Sequence, residues 1–240
     1  MVTADSRDEI LAALAYGDLK VTGRLVDASN ATLFGEITIG DNSFNCIYKP
    51  VTGERPLWDF PDGTLANREL AAYLISEAMQ INCVPPTLLR DGPFGFGMVQ
   101  LWIDIDEEVE LAELYRKDLP CLRTLALFDV VINNTDRKIG HLLPTAEGHI
   151  YGCDHGVTFH SEDKLRTVLW QWEQTTLLDS EMATLVLLET QLNGEIGKQI
   201  QQLITNDEFN ALKVRVSRLQ TAKVFPSPSP DWPAVPWPPF

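Results

Sequence analysis

Between residues 19 and 50 apolar and polar positions alternate in three bursts, "LKVTGRLV", "TLFGEITI" and "FNCIYKP", separated by the turn formers of "DASNA" and "GDNS". Period-two alternation broken in this way predicts an antiparallel meander. The period then changes: in "LANRELAAYLISEAMQ", Leu70, Tyr73, Leu74 and Glu77 recur at helical spacing, with Thr64 or Asp62 as the expected N-cap. "PTLLRDGPFGFGMVQLWI" returns to two short strands around a glycine-rich turn. From about residue 106 the pattern is helical, first in "DEEVELAELY" and then in "CLRTLALFDVVINN". "HLLPTAEGHIYGCD" predicts a hairpin turning on "TAEG", and amphipathic helices follow to about residue 223. The opening segment, "MVTADSRDEILAALAYGD", predicts a short helix with Ser6 and Glu9 spaced as a capping box. The expected architecture is α+β in two lobes: residues 1–104 as a small antiparallel sheet with an N-terminal helix and one further helix, 105–224 as a mostly helical lobe with a hairpin, and 225–240 as a tail.

The tail, "FPSPSPDWPAVPWPPF", has seven prolines in sixteen residues, which rules out helix and central strand and favours extended polyproline geometry. It reads as a disordered end, an arm packing its two tryptophans on the body, or a ligand for a protein partner. No apolar run approaches the roughly 20 residues that span a bilayer, and the acidic N-terminus resembles no targeting peptide, so a soluble cytoplasmic protein is expected. Cys46, Cys83, Cys121 and Cys153 form no CxxC pair, which fits reduced thiols better than a disulfide framework or a structural zinc site. The formal net charge of −15 repels nucleic acid and anionic lipid surfaces. Partners are then expected among small molecules and proteins, with no stable membrane association.

The candidate chemistry is concentrated in "DVVINNTDRKIGH" (129–141) and "CDHG" (153–156). A strand-end lysine, Lys49, a helix glutamate twenty residues on, Glu69, an Asp-x-x-x-x-His pair, Asp136 and His141, and a further aspartate after a hairpin, Asp154, are the parts that phosphoryl transfer from ATP requires. Taken singly each has a bland reading: Lys49 as a solvated charge, Glu69 as helix surface, Asp136 and Asp154 as turn residues. Their order is the signal.

The chain resembles the phosphatidylinositol 3/4-kinase-like branch of the protein-kinase-like fold, most nearly its type II 4-kinase members and the bacterial proteins grouped with them. The resemblance rests on "IYKP" (47–50), "NRELAAYLIS" (67–76), "INNTDRKIGHLL" (132–143) and "YGCDHGVTFH" (151–160), and covers roughly residues 20–175. It implies a bilobal kinase fold in which Lys49 contacts ATP phosphates with Glu69 as its helix partner. By the same resemblance Asp136 is the catalytic-loop aspartate and Asp154 a metal ligand. The turn "DASNATLFG" would cover the phosphates, with Ser29 and backbone N–H groups around Asn30 in place of a glycine-rich loop. The strand "MVQLWI" (98–103) would be the hinge, with Gln100 and Leu101 offering backbone groups to adenine.

Two positions depart from the pattern. His141 stands where the family has asparagine, and imidazole suits Mn²⁺ or Zn²⁺ better than the hard Mg²⁺. Lys138 stands where the lipid kinases have histidine; protein kinases place lysine there, positioned to neutralise the transferring phosphate. The implied activity is transfer from ATP, with Mg²⁺ or Mn²⁺, to a hydroxyl of a soluble metabolite or protein rather than of an inositol lipid. A nucleotide-binding regulatory protein without turnover is the alternative. A metal hydrolase built on His141, His149, His155 and His160 is a weaker one, because no HExxH-type ligand pair is present.

Overall fold

In the computed structural model, which describes residues 4–25 and 31–240, five strands form one antiparallel sheet. The expected meander is β1 (Asp18–Arg24), β2 (Leu33–Ile39) and β3 (Asn42–Pro50), and the glycine-rich hairpin is β4 (Thr87–Gly92) and β5 (Gly95–Leu101). The sheet order is β1-β2-β3-β5-β4, so β5 lies beside β3 with Ile47 opposite Gln100 and Lys49 opposite Met98. Pro50 pairs with Gly97 at the end of this ladder, where a Cβ at 97 would lie 2.4 Å from the Lys49 carbonyl oxygen. Only glycine permits that approach, and Pro50 is tolerated because the ladder ends there.

α1 (Ala4–Tyr16) covers one face of the sheet, burying Ile10, Ala13 and Leu14 against Leu19, Ile37, Tyr48 and Val99. The chain is already helical at Ala4, so Ser6 lies inside the helix rather than at an N-cap position. Arg7 anchors this end instead, pairing with Glu77 and donating to the Tyr73 hydroxyl at 2.8 Å.

α2 (Leu65–Ala78) is buried on most of its circumference, including the charged Arg68 and Glu69. Thr64 occupies its N-cap position, but the hydroxyl donates to Pro61 O instead of capping. The first free N–H groups, of Leu65 and Ala66, donate to the Glu54 carboxylate at 3.1 and 2.8 Å, a cap supplied from eleven residues upstream.

The helical lobe is built on α4 (Pro120–Ile132), which begins with proline and ends on Asn133 at φ 51°. α3 (Leu111–Leu114) is far shorter than "DEEVELAELY" suggested; of its residues only Leu114 is buried, too little apolar surface to fix a longer helix. β6 (Leu142–Pro144) and β7 (Ile150–Gly152) form the expected hairpin, and α5 (Asp179–Leu192), α6 (Glu195–Gln201) and α7 (Asn206–Ala222) complete the lobe. Thr205 and Glu208 make a reciprocal capping box on α7, and the other Glu208 oxygen pairs with Arg68 of α2 at 2.7 Å. Arg68 also donates to Thr158 O at 2.7 Å, so α2 is fastened to the helical lobe while its other side meets the sheet.

The proline-rich tail is an arm held against the body. Ala234 O accepts from Thr167 N–H (3.0 Å) and Trp170 Nε1 (2.8 Å), and Pro239 O accepts from Ile139 N–H (2.8 Å). Trp232 packs under Lys164, with the ammonium 4.4 Å from its ring centroid, whereas Trp237 is 86% exposed. Among the described residues no helix is long and apolar enough to cross a membrane. All four cysteines are free thiols.

Candidate active site

A cleft of about 290 Å³ runs between the sheet and the hairpin β6–β7. Its apolar end is formed by Leu25, Ile47, Leu101, Trp102 and Ile103, and its polar end by Lys49, His141 and Asp154. Lys49 reaches the cleft because it is the penultimate residue of β3, and its Nζ lies 2.7 Å from Glu69 Oε1 and 2.8 Å from Asp154 Oδ1. Burial opposes the Lys49 charge, but the Asp154 and Glu69 carboxylates outweigh it and raise its pKa above the usual lysine value. Glu69 is itself fixed by the His155 backbone N–H, which donates to Oε2 at 2.9 Å.

Asp154 sits at φ 59°, a conformation that aspartate tolerates better than most residues and that turns the chain sharply after β7. Its side chain is 52% exposed, and the Lys49 ammonium, against the cost of burial, holds its pKa below the ordinary carboxylate range. His141 Nε2 lies 3.6 Å from Asp154 Oδ2. Burial pushes the His141 pKa down to about 4, so the ring is neutral at pH 7. Its Nδ1 accepts a long 3.4 Å contact from Lys138 N–H, which places the ring proton on Nε2 in this state.

Asp136 and Lys138 lie beside this cluster in the loop after α4. Lys138 Nζ is 3.2 Å from Asp136 Oδ2, and Asp136 N–H donates to Asn134 Oδ1 at 3.0 Å. Burial raises the Asp136 pKa above its ordinary value; Lys138 and Arg166 pull it down, and the nearby Asp154 charge pushes it up.

The strand 98–103, expected as the hinge, is the end of β5 and the residues that follow it. Gln100 and Leu101 line the cleft, but the Gln100 amide donates to Thr87 Oγ1 at 2.8 Å and Leu101 N–H to Pro86 O at 2.9 Å. Trp102 N–H is likewise committed, to Asn45 O at 3.0 Å, because the sheet ladder continues through this edge. Ser29 and Asn30 lie outside the described residues. The four histidines do not converge: His149 faces Asn82 O, His155 the Arg137 guanidinium, and His160 the Lys164 ammonium. Among the described residues no group of three or more His, Cys, Asp and Glu could hold a metal ion.

The chain is 42% identical, over 269 aligned residues, to Protein Rv2133c of Mycobacterium tuberculosis (strain ATCC 25618 / H37Rv), covering 98% of this chain and 96% of that one. It belongs to the same family. No model of a known protein family matches it. Among solved structures it superposes on the Golgi casein kinase with Mn and ADP bound (TM-score 0.60, 12% identity, 92% of this chain and 76% of that one). It also superposes on hydra Fam20 with sugar (TM-score 0.59, 14% identity, 92% and 89%) and on the Helicobacter pylori proinflammatory kinase CtkA (TM-score 0.51, 12% identity, 88% and 94%). At these identities the likeness establishes a bilobal kinase-like fold.

Within this Rv2133c family member the site loops rest on a buried scaffold that sequence reasoning did not identify. Arg137 and Asp129 are both fully buried and paired at 2.9 Å, with Arg137 Nε also donating to Asp129. Asn134 Nδ2 and Thr167 Oγ1 donate to the remaining Asp129 positions at 2.9 and 3.0 Å. Arg137 further donates to Cys153 O at 3.0 Å and to His155 Nε2 at 2.7 Å, so one guanidinium holds the residues on both sides of Asp154. Burial, reinforced by Arg137, keeps His155 neutral. A Cβ at Gly152 would fall 2.9 Å from Arg137, so glycine there leaves room for the guanidinium. An aspartate inside the apolar stretch "LALFDVVI" was the readable trace of this network.

Proposed function

We propose that this chain is an ATP-dependent phosphotransferase that moves a γ-phosphoryl group to a hydroxyl. The observation that carries the reading is the Lys49–Glu69–Asp154 cluster, an ammonium held between two carboxylates at the polar end of an apolar cleft. In this reading Lys49 orients the phosphates and Glu69 holds Lys49 in place. The apolar wall takes the adenine, with Gln100 and Leu101 at its edge; Ser29 and Asn30, which the family resemblance assigns to the phosphates, lie outside the described residues. Asp136 accepts the acceptor's hydroxyl proton as the new oxygen–phosphorus bond forms and the bond from phosphorus to the ADP oxygen breaks. Lys138 balances the charge of the transferring group.

Asp154 and His141 would hold the divalent ion, Mg²⁺ or Mn²⁺, whose chemistry is to neutralise phosphate charge. One carboxylate and one neutral imidazole fit an ion that keeps its other positions for phosphate oxygens and water. Ligation through Nε2 needs the ring proton on Nδ1, which gives up only the 3.4 Å contact from Lys138 N–H. That a structure of this fold, the Golgi casein kinase, carries Mn and ADP supports nucleotide and metal use.

The finer likeness to phosphatidylinositol 3/4-kinase-like proteins rests on the four segments that carry the motifs. A soluble acceptor suits the net charge of −15 better than an anionic lipid surface. The test is transfer from labelled ATP with Mg²⁺ or Mn²⁺ by the wild type and by Asp136→Asn. Transfer that disappears in the variant while nucleotide binding persists supports the enzyme; binding without transfer in either protein supports the regulatory alternative.

A further inference from the structure

Two loops meet beside Asp136, and each contributes a cation. Lys138 belongs to the loop after α4, and Arg166 to the segment that follows "CDHG". The loops are knitted through the backbone: Arg166 N–H donates to Asn134 O at 2.9 Å and Arg137 N–H to Arg166 O at 3.1 Å, with a parallel bridge between Arg137 and Thr167. The Arg166 charge therefore lies near enough to Asp136 to favour its ionised form. Lys138 is already paired with Asp136. Among the described residues Arg166 enters no ion pair, and its Nε is buried with no hydrogen-bond partner.

The tail completes this arrangement. Two of its carbonyl contacts fall on the residue after each cation: Pro239 O holds Ile139 N–H, next to Lys138, and Ala234 O holds Thr167 N–H, next to Arg166. Phe240 lies against Gly140, which lines the nucleotide cleft, and Pro236 is buried. The segment thus fastens both cation-bearing loops.

We propose that Arg166, with Lys138, forms the anion-binding part of the acceptor site, and that the acceptor is a small hydroxyl compound bearing a phosphate or carboxylate. This inference rests on the reading of Asp136 as the base for the acceptor. An unpaired guanidinium with donors to spare, in a protein of net charge −15, calls for an anion from outside the chain. Two cations on loops that the tail ties in place suit a compact anionic acceptor better than an extended peptide. Arg166 acts on binding, so its loss raises the acceptor KM more than it lowers kcat.

The probe is inorganic phosphate, titrated by calorimetry into protein saturated with a non-hydrolysable ATP analogue and Mn²⁺, for wild type, Arg166→Gln and Arg166→Lys. Loss of a charged hydrogen bond predicts a phosphate affinity about tenfold weaker or more in Arg166→Gln, largely restored in Arg166→Lys, with the nucleotide affinity unchanged. Transfer to glycerol 3-phosphate against glycerol, and to a serine peptide, should favour the phosphorylated compound in wild type and lose that preference in Arg166→Gln. Equal phosphate binding by wild type and Arg166→Gln, or transfer to the peptide or to glycerol as efficient as to glycerol 3-phosphate, overturns the proposal. A failure of the analogue to bind sinks the phosphotransferase reading and the acceptor role with it. Arg166-dependent phosphate binding in nucleotide-free protein would then leave only an anion site.

Discussion

Two clusters in this molecule share one plan, a cation paired with carboxylate next to a histidine, and differ in what they leave unsatisfied. In the scaffold, Arg137 and Asp129 are fully buried and every Asp129 oxygen is engaged within the chain, by Arg137, Asn134 and Thr167. In the cleft, Lys49 is 19% and Asp154 52% exposed, and among the described residues Asp154 Oδ2 meets only a neutral imidazole at 3.6 Å. The first cluster fixes geometry; the second keeps groups available to a ligand. His155 joins them, its ring accepting from Arg137 and its backbone N–H donating to Glu69. The contrast teaches that the same residue types become structure or chemistry according to whether their hydrogen-bonding capacity is filled from inside.

The sharpest way to break the comparison is to remove one partner from each cluster. Asp129→Ala leaves Arg137 charged and unpaired in the interior, at a cost of about 3–5 kcal/mol, so urea unfolding should show a large loss of stability. Asp154→Ala should unfold close to the wild-type midpoint; equal losses in both variants would end the distinction. Asp136→Asn follows, with transfer falling by about 10²–10⁴-fold and nucleotide affinity unchanged in calorimetry. The smaller effect of Glu54→Ala tests the distant cap on α2: about 1 kcal/mol lost by urea unfolding, and Glu54→Gln, which keeps acceptor oxygen, intermediate.

A pH profile sharpens the comparison further. As the proposed base, Asp136 must be ionised to accept a proton, and burial raises its pKa above the ordinary carboxylate value of 3.8. Transfer should therefore decline as pH falls through that raised value, with full activity above it. Lys138→Met removes the nearest positive charge and should move this acid limb upward. A limb that stays put would show that another group controls it.

Strand alternation was legible in the chain, and so was the order of Lys49, Glu69, Asp136, His141 and Asp154, because four of them sit near where a local period ends and Glu69 lies on the helix after the meander. What was not legible depends on partners far apart in sequence. Asp129 meets Thr167, Arg68 meets Glu208, and the α2 cap comes from Glu54, none of which a periodic pattern encodes. Arg137 stood in the motif yet read as a neighbour of the chemistry, since only its burial shows that it holds Cys153 and His155 in place. The tail's docking was open for a similar reason: polyproline geometry has no amphipathic period to mark which face lies against the body. The Thr205/Glu208 capping box was a readable signal that went unused, and it leads directly to Arg68.

The central claim is that the Lys49–Glu69–Asp154 cluster binds metal–nucleotide. Its most direct test is calorimetric titration of ATP into wild type and Asp154→Asn with Mg²⁺, with Mn²⁺ and with neither. The account predicts saturable binding that needs the divalent ion and is lost or greatly weakened in Asp154→Asn. Binding that ignores both the ion and Asp154, or no binding under any of the three conditions, would contradict it.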